Sequence, residues 1–267
     1  MPILHLILVA VIQGITEFLP VSSSGHLILL PNLTGMEDQG QVIDVAVHIG
    51  TLGAVMLYFR ADVHRVILGI PKVLKRQVDD QDAWLALCLI IATIPVIVAG
   101  LIFKLTGLDD MLRSVAVVGW MTLIFGIVLY WADQTGTTEK TAENWSMKDA
   151  ITMGLAQILA LIPGTSRSGI TITAARRLGY AREDAARLAM LMSIPTIMAS
   201  GVLLGAEVAF SMDGAAAKDA AIAAVFAFGM ALLALALMMR LLRSISFTPY
   251  VIYSILLGLI LLWIAYS

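Results

Sequence analysis

Charge is what this chain has least of. Only 13% of its 267 residues are Asp, Glu, Lys or Arg, about half the share of an ordinary soluble domain. A full 60% are hydrophobic, and the mean hydropathy is +0.92. A soluble fold of this size has no room to withdraw so much apolar side chain from water, so that class is excluded. The formal net charge of −2 offers nothing to a polyanion, and no nucleic-acid partner is expected. Cysteine is nearly absent. The single Cys88 lies in an apolar run, which excludes a disulfide framework or a cysteine zinc cluster and reads as a small packed hydrophobe. The opening residues MPILH lack the basic segment of a secretory signal, so insertion is expected to depend on the apolar segments themselves.

What is there is a series of long apolar runs. A helix needs about 20 apolar residues to cross a bilayer. Residues 84–103, 114–132, 188–206, 220–239 and 244–267 qualify, and a sixth run, 41–59, does so once it extends back past Asp44. Two further regions, 2–35 and 150–178, are apolar but interrupted midway by Pro, Ser, Gly and an ionisable residue. Each reads either as one crossing or as a hairpin that enters and leaves on one side.

Basic residues decide between them. With both regions as hairpins, loops 60–83, 132–149, 176–187 and 240–243 share one face and hold 13 of the 17 Lys and Arg. The opposite face keeps Lys104, Arg113 and Lys218, and Arg167 lies inside the second hairpin. Cytoplasmic loops carry the excess of Lys and Arg. Making the second region a single crossing splits them evenly and loses that rule. The expected fold is therefore all-α and integral to the membrane, with six transmembrane helices and two re-entrant helical hairpins. It is one membrane domain, 1–267.

The halves look alike. The first, 1–132, runs hairpin 2–35 and then spans 41–59, 84–103 and 114–132. The second, 150–267, runs hairpin 150–178 and then spans 188–206, 220–239 and 244–267. Three spans per half turn the second over, giving an inverted-topology repeat, a design whose broken helices meet near the midplane and build the site there. Aligned on Pro20 and Pro163, Ser22 falls against Thr165 and Ser23 against Ser166. Gln13 and Gln157 precede the two interruptions.

The polar residues at those tips carry the chemistry. Where helices stop, free backbone N–H groups remain, and at a helix start they bind anions such as phosphate. The first tip adds Ser22, Ser23, Ser24, Glu17 and His26, and the second adds Arg167. A guanidinium at this depth needs an anionic partner. Glu17 or a ligand phosphate would serve, and the planar fork of Arg suits phosphate. Gln13 and Glu17, four apart, share a helix face. Ser23 and His26 become neighbours if the second half-helix starts at the serines. A serine near a histidine and a glutamate has the parts of an activated nucleophile, while each serine also reads as a plain helix cap. His48, early in its span, reads equally as packing or as function.

The stretches QGITEFLPVSSSGH (13–26) and PGTSRSG (163–169) resemble the two signature motifs of the bacterial undecaprenyl-diphosphatase family, also called the bacitracin-resistance or BacA/UppP family. The resemblance implies an enzyme that removes the terminal phosphate of undecaprenyl diphosphate. Its product is the monophosphate carrier lipid of peptidoglycan and other envelope polymers. It also implies a multi-pass protein of the bacterial cytoplasmic (inner) membrane, a site opening to the outer, periplasmic face, and bacitracin resistance on overproduction.

The implied partners are a polyprenyl diphosphate and the surrounding lipids, and a homo-oligomer is compatible with the sequence. The implied cofactor is a divalent cation, Mg²⁺ or Ca²⁺, with Glu17 as its hard-oxygen ligand. Gln13 takes the neutral option of its motif position and weakens any two-carboxylate metal site.

On this reading Arg167 and the N–H groups from Thr165 through Ser166 to Ser168 bind the phosphates. Gln13, Ser22 and Ser24 line the substrate. Ser23 attacks, and His26 or Glu17 takes its proton. His26 as nucleophile, or direct attack by water, are the competing arrangements. A transporter or flippase of a polyprenyl phosphate lipid is the alternative function, because broken helices at the midplane are a transporter design.

Overall fold

The computed structural model describes residues 2–34, 40–209 and 214–267. Among these the chain is helical, and the β-type pairing is an isolated bridge between Lys140 and Tyr180. Six helices are long and apolar enough to cross a membrane. They are α3 (Gly40–Tyr58), α5 (Gln81–Thr106), α7 (Val115–Thr135), α10 (Arg182–Ala209, apolar through Val202), α11 (Gly214–Leu241) and α12 (Thr248–Tyr266). All six expected runs are among them, with ends shifted by a few residues where caps rather than hydropathy set the boundary. Asp80 caps α5 by accepting the Ala83 N–H, Gly107 closes it in the left-handed region, and Ser114 caps α7.

The two interrupted regions are broken helices. The first is α1 (Ile3–Thr16) followed by α2 (Ser23–Thr34); the second is α8 (Met147–Gln157), a short 3₁₀ turn at Ile158–Leu161, and α9 (Arg167–Arg177). None of the four reaches the length a crossing needs. One element went unforeseen: α4 (Arg60–Leu74) is a helix inside what the sequence reading treats as a loop. A four-residue turn, α6 (Leu108–Met111), precedes α7.

Small residues let the helices approach. Ala223, Ala227 and Ala231 of α11 are fully buried. Leu6, Val9 and Ala10 of α1 and Ile43, Ala46 and Val47 of α3 share a core cluster with the first two of these alanines. Such packing suits membrane helices, which gain little from hydrophobic exclusion among themselves. A Cβ on Gly14 of α1 would lie 2.7 Å from the Ala227 carbonyl oxygen, so α1 sits hard against α11. Further, α5 packs on α8 and α10, α7 on α9, and α7 on α12. The outward faces keep large apolar side chains exposed, among them Ile94, Leu101, Ile127, Leu256 and Trp263.

The four basic loops converge at one end. Arg187 donates to both oxygens of Asp62, at 2.9 and 2.6 Å, and to Glu143 at 2.8 Å. Arg176 and Asp133, each 1% exposed, are paired at 3.1 Å. The other Arg176 N–H groups reach carbonyls of Asp133, Gly136, Thr137 and Tyr180. Asp133 also takes Arg182 at 2.7 Å and the Phe247 N–H at 3.2 Å. The start of α8 meets the residues beyond α9 here, for the buried Asp149 accepts Tyr180 Oη at 2.8 Å and Lys140 Nζ at 2.9 Å. Burial and the neighbouring Asp149 carboxylate push the Tyr180 phenol up.

Candidate active site

Both tips start a helix in the same way. Ser22 Oγ accepts the Gly25 N–H at 3.2 Å and lies 3.0 Å from Ser24 Oγ. Ser166 Oγ accepts the Gly169 N–H at 3.1 Å and lies 3.0 Å from Ser168 Oγ. Each serine thus satisfies a donor that the first helical turn leaves free. By capping role Ser22 matches Ser166, one position on from the Thr165 that alignment on the prolines sets against it. The extra residue is taken up at Gly164. Its φ is +96°, and a Cβ there would meet the Val118 carbonyl oxygen at 2.4 Å, so only glycine fits.

The tips interlock. The Gly164 N–H donates to Ser24 Oγ at 3.1 Å, Ser168 Oγ donates to the Leu19 carbonyl at 2.8 Å, and Thr122 of α7 holds the Gly164 carbonyl at 3.2 Å. A small cavity between the tips, α7 and α12 is lined by Pro20, Ser22, Gly164, Ser166, Thr122 and Ser254, among others. A larger one lies among the basic loops beside Asp62 and Arg187, away from the tips.

Arg167 Nη2 donates to Glu17 Oε1. Glu17 is 8% exposed, and removing either member of such a pair leaves an uncompensated buried charge. Gln13, fully buried, donates Nε2 to Glu17 Oε2 at 2.6 Å, and the same nitrogen lies 3.2 Å from His48 Nε2. His48 Nδ1 lies 2.7 Å from the Asp44 carbonyl. An acceptor there makes Nδ1 the protonated nitrogen, so in the neutral ring Nε2 offers a lone pair to the Gln13 amide. His48 Nε2 is 3.7 Å from Glu17 Oε2.

His26 faces elsewhere. Its Nδ1 lies 2.6 Å from the Ser22 carbonyl and its Nε2 lies 2.6 Å from Tyr253 Oη on α12. The two rings are 7° from parallel. By the same logic the Tyr253 hydroxyl donates to Nε2. Ser23 is half-buried at the first position of α2, and its hydroxyl has no hydrogen-bond partner among the described residues. At the second tip the Thr165 N–H is taken by the Ile162 carbonyl at 3.1 Å. Its hydroxyl is buried without a partner among the described residues, and the Gly169 N–H is taken by Ser166, leaving the N–H groups of Arg167 and Ser168 to open the helix.

The tips therefore bring Gln13, Glu17 and Arg167 together and join Ser22 and Ser24 to the second tip. His26 is drawn toward Tyr253. Sequence reasoning left His48 undecided because nothing in one chain shows that α3 lies beside α1. Tyr253 gave no signal, being one aromatic in an apolar run.

A divalent cation would find few donors here. Gln13 Oε1 is buried and unpartnered among the described residues, on the side chain whose Nε2 holds the Glu17 carboxylate. No group of three or more His, Cys, Asp or Glu side chains able to hold a metal occurs among the described residues. One carboxylate and one amide oxygen fit an ion that completes its shell with water and substrate phosphates, as Mg²⁺ does.

The sequence matches the family described as "Bacitracin resistance protein BacA" over residues 6–260. The chain belongs to this family. It is 70% identical to the undecaprenyl-diphosphatase of Dinoroseobacter shibae and 68% identical to that of Roseobacter denitrificans, in each case over 267 residues and the full length of both chains. The undecaprenyl-diphosphatase of Chromohalobacter salexigens is 42% identical over 263 residues, covering 98% of this chain and 99% of that one. BacA membership agrees with the six long apolar helices of a multi-pass membrane protein.

Proposed function

We propose that this chain hydrolyses undecaprenyl diphosphate to undecaprenyl phosphate and inorganic phosphate. It thereby recycles the carrier lipid of cell-wall synthesis and confers bacitracin resistance. Full-length relatives of that name carry the assignment. The observation that supports the chemistry is the meeting of Arg167 from one tip with Glu17 from the other, among serine hydroxyls and helix starts.

In phosphoryl transfer the protein mainly positions groups and stabilises charge. Arg167 and the N–H groups of Arg167 and Ser168 neutralise the phosphate oxygens, while Ser24, Ser166 and the Thr165 hydroxyl line the approach. Ser23 Oγ attacks the terminal phosphorus, the bond to the bridging oxygen breaks, and undecaprenyl phosphate leaves. Water then cleaves the phosphoserine to release phosphate. The proton from Ser23 goes to Glu17, or to His26 once Tyr253 releases Nε2. Support for Ser23 comes from its unengaged hydroxyl; direct water attack and attack by His26 remain the arrangements to be separated from it. Mg²⁺ or Ca²⁺ would be held by Glu17 and Gln13 Oε1, and supplies positive charge at the phosphates when bound.

Two re-entrant hairpins in an inverted repeat are the architecture we read. The contact of Asp149 with Tyr180 supports entry and exit of the second hairpin at one end. Gln13 precedes Ser22 by the same interval as Gln157 precedes Ser166. Exchanging the halves maps the packing of α1 on α11 onto that of α8 on α5, and of α3 on α11 onto that of α10 on α5. The gathering of the basic loops supports a cytoplasmic placing for that end, and hence a site reached from the periplasmic side.

The test is phosphate release from farnesyl diphosphate by purified protein in detergent, where no transport occurs. Wild type should turn over. Arg167→Ala should lose at least a hundredfold in kcat, about what removal of one charge-stabilising donor costs, and Arg167→Lys should restore little because it lacks the fork. Wild-type protein that binds but releases no phosphate would favour the transporter reading, which the broken helices also suit.

A further inference from the structure

Helix α4 is amphipathic in the wrong sense for water. Its inward side carries Asp62, 6% exposed, which takes Arg187 of α10 and lies 3.6 Å from Arg65. Gly69 is pressed on the start of α5, where a Cβ would meet the Asp82 carbonyl at 2.2 Å. The outward side carries Ile67, Leu68, Ile70 and Leu74, which are 57%, 49%, 39% and 79% exposed. A helix that buries its one carboxylate and presents isoleucine and leucine between exposed cations is facing an apolar medium. It begins two residues after α3 ends and finishes just before α5 begins, so it lies at the membrane surface, at the end where the basic loops gather.

Cations flank the apolar stripe. Arg65 and Lys72 are held by Asp82 and Asp80. Arg60, Lys75 and Arg76 are exposed and pair with no carboxylate among the described residues. Arg76 closes the helix with φ +60°, the one non-glycine residue in the left-handed region among those described. That conformation costs about 1 kcal/mol or more for a residue with a Cβ, and glycine would relieve it. A cation is nevertheless kept there.

We infer that α4 is an interfacial helix that binds the anionic phospholipids of its leaflet, with Ile67, Ile70 and Leu74 among the acyl chains and Arg60, Lys75 and Arg76 on headgroup phosphates. Apolar burial combined with anionic-lipid attraction is how such helices hold to a surface.

The full chain, reconstituted in nanodiscs of phosphatidylcholine with a minor share of phosphatidylglycerol, tests this. A nitroxide on Leu74→Cys, in a Cys88→Ala background, should be accessible to oxygen and shielded from an aqueous nickel chelate. One on Asp79→Cys should show the reverse. Native mass spectrometry should find phosphatidylglycerol enriched on the wild type over its share of the disc. That preference should fall by about fivefold for each of Arg60→Gln, Lys75→Gln and Arg76→Gln. A Leu74 label open to nickel overturns the inference, as does enrichment unchanged in the triple variant. Spin–spin broadening at Leu74 that grows with protein density assigns the stripe to a second copy of the chain and overturns it too.

Discussion

Tyr253 Oη lies 2.6 Å from His26 Nε2, so a residue of the last helix occupies the one ring nitrogen of His26 that has a lone pair to offer. Tyr253 holds the ring in place from α12 while the Ser22 carbonyl holds it from the tip. A hydrogen bond of this kind is worth about 1 kcal/mol. Tyr253→Phe should lower kcat by about fivefold with KM unchanged. In a His26→Ala background the same change should have no further effect, and a double-mutant cycle measures this directly.

Adjacent serines should behave differently. Ser22 is a helix cap, and Ser22→Ala should cost about 1 kcal/mol of stability, read as a lower melting temperature in detergent. Ser23 has no partner to lose among the described residues. Ser23→Ala should melt with the wild type yet abolish turnover if its oxygen attacks the phosphorus, and mass spectrometry of rapidly quenched wild type should then find phosphate on residue 23. Appreciable activity in Ser23→Ala would move the attack to water or to His26.

Gly164→Ala should disrupt the second tip. The methyl group cannot occupy the space of the Val118 carbonyl, and the left-handed backbone disfavours it as well. Loss of both activity and thermal stability is expected, whereas a Cβ at Gly201 meets nothing within 4 Å and Gly201→Ala should leave both intact.

Asp149 makes the basic-loop end sensitive to acid. Burial pushes its carboxyl up, but hydrogen bonds from Lys140, Tyr180 and Ser146 together outweigh it and hold the group below the usual aspartate range. A carboxyl with a depressed folded value stabilises the fold above its ordinary titration near about 3.9 and stops doing so as pH falls through the lower, folded value. Asp149→Asn should therefore be less stable than wild type at neutral pH by about 2 kcal/mol. The gap between their melting temperatures should close as the pH is taken below about 4.

Much of this was legible in the sequence, and the limits have physical causes. Uninterrupted apolar runs announced the six long helices because lipid leaves backbone groups no other partner than their own helix. The partnership of Glu17 with Arg167 could be anticipated because a buried guanidinium demands a counter-charge. Helix α4 escaped because its three Lys and Arg residues, with Lys75 and Arg76 just beyond its end, break any apolar run, and the period of its apolar residues shows only when the helix is wound. Alignment on the prolines misses the two like caps by one position because prolines are tolerated at several places in a turn, whereas the capping hydroxyls of Ser22 and Ser166 are fixed by geometry. His48 and Tyr253 join the site through packing between distant helices, which one chain's order of residues does not encode.

The fully bonded guanidinium of Arg176 has a mechanical consequence. Four of its five N–H groups tie α9 to the end of α7 and the residues just after it, the fifth takes the Tyr180 carbonyl, and Asp133 adds Arg182 and the entrance to α12 to the same knot. Parting those strands would strand charges out of water, at about 3–5 kcal/mol for the first pair alone. Any breathing that admits a long isoprenoid must therefore pivot about this knot and gape at the opposite rim, like a clothes-peg whose spring lies on the basic side.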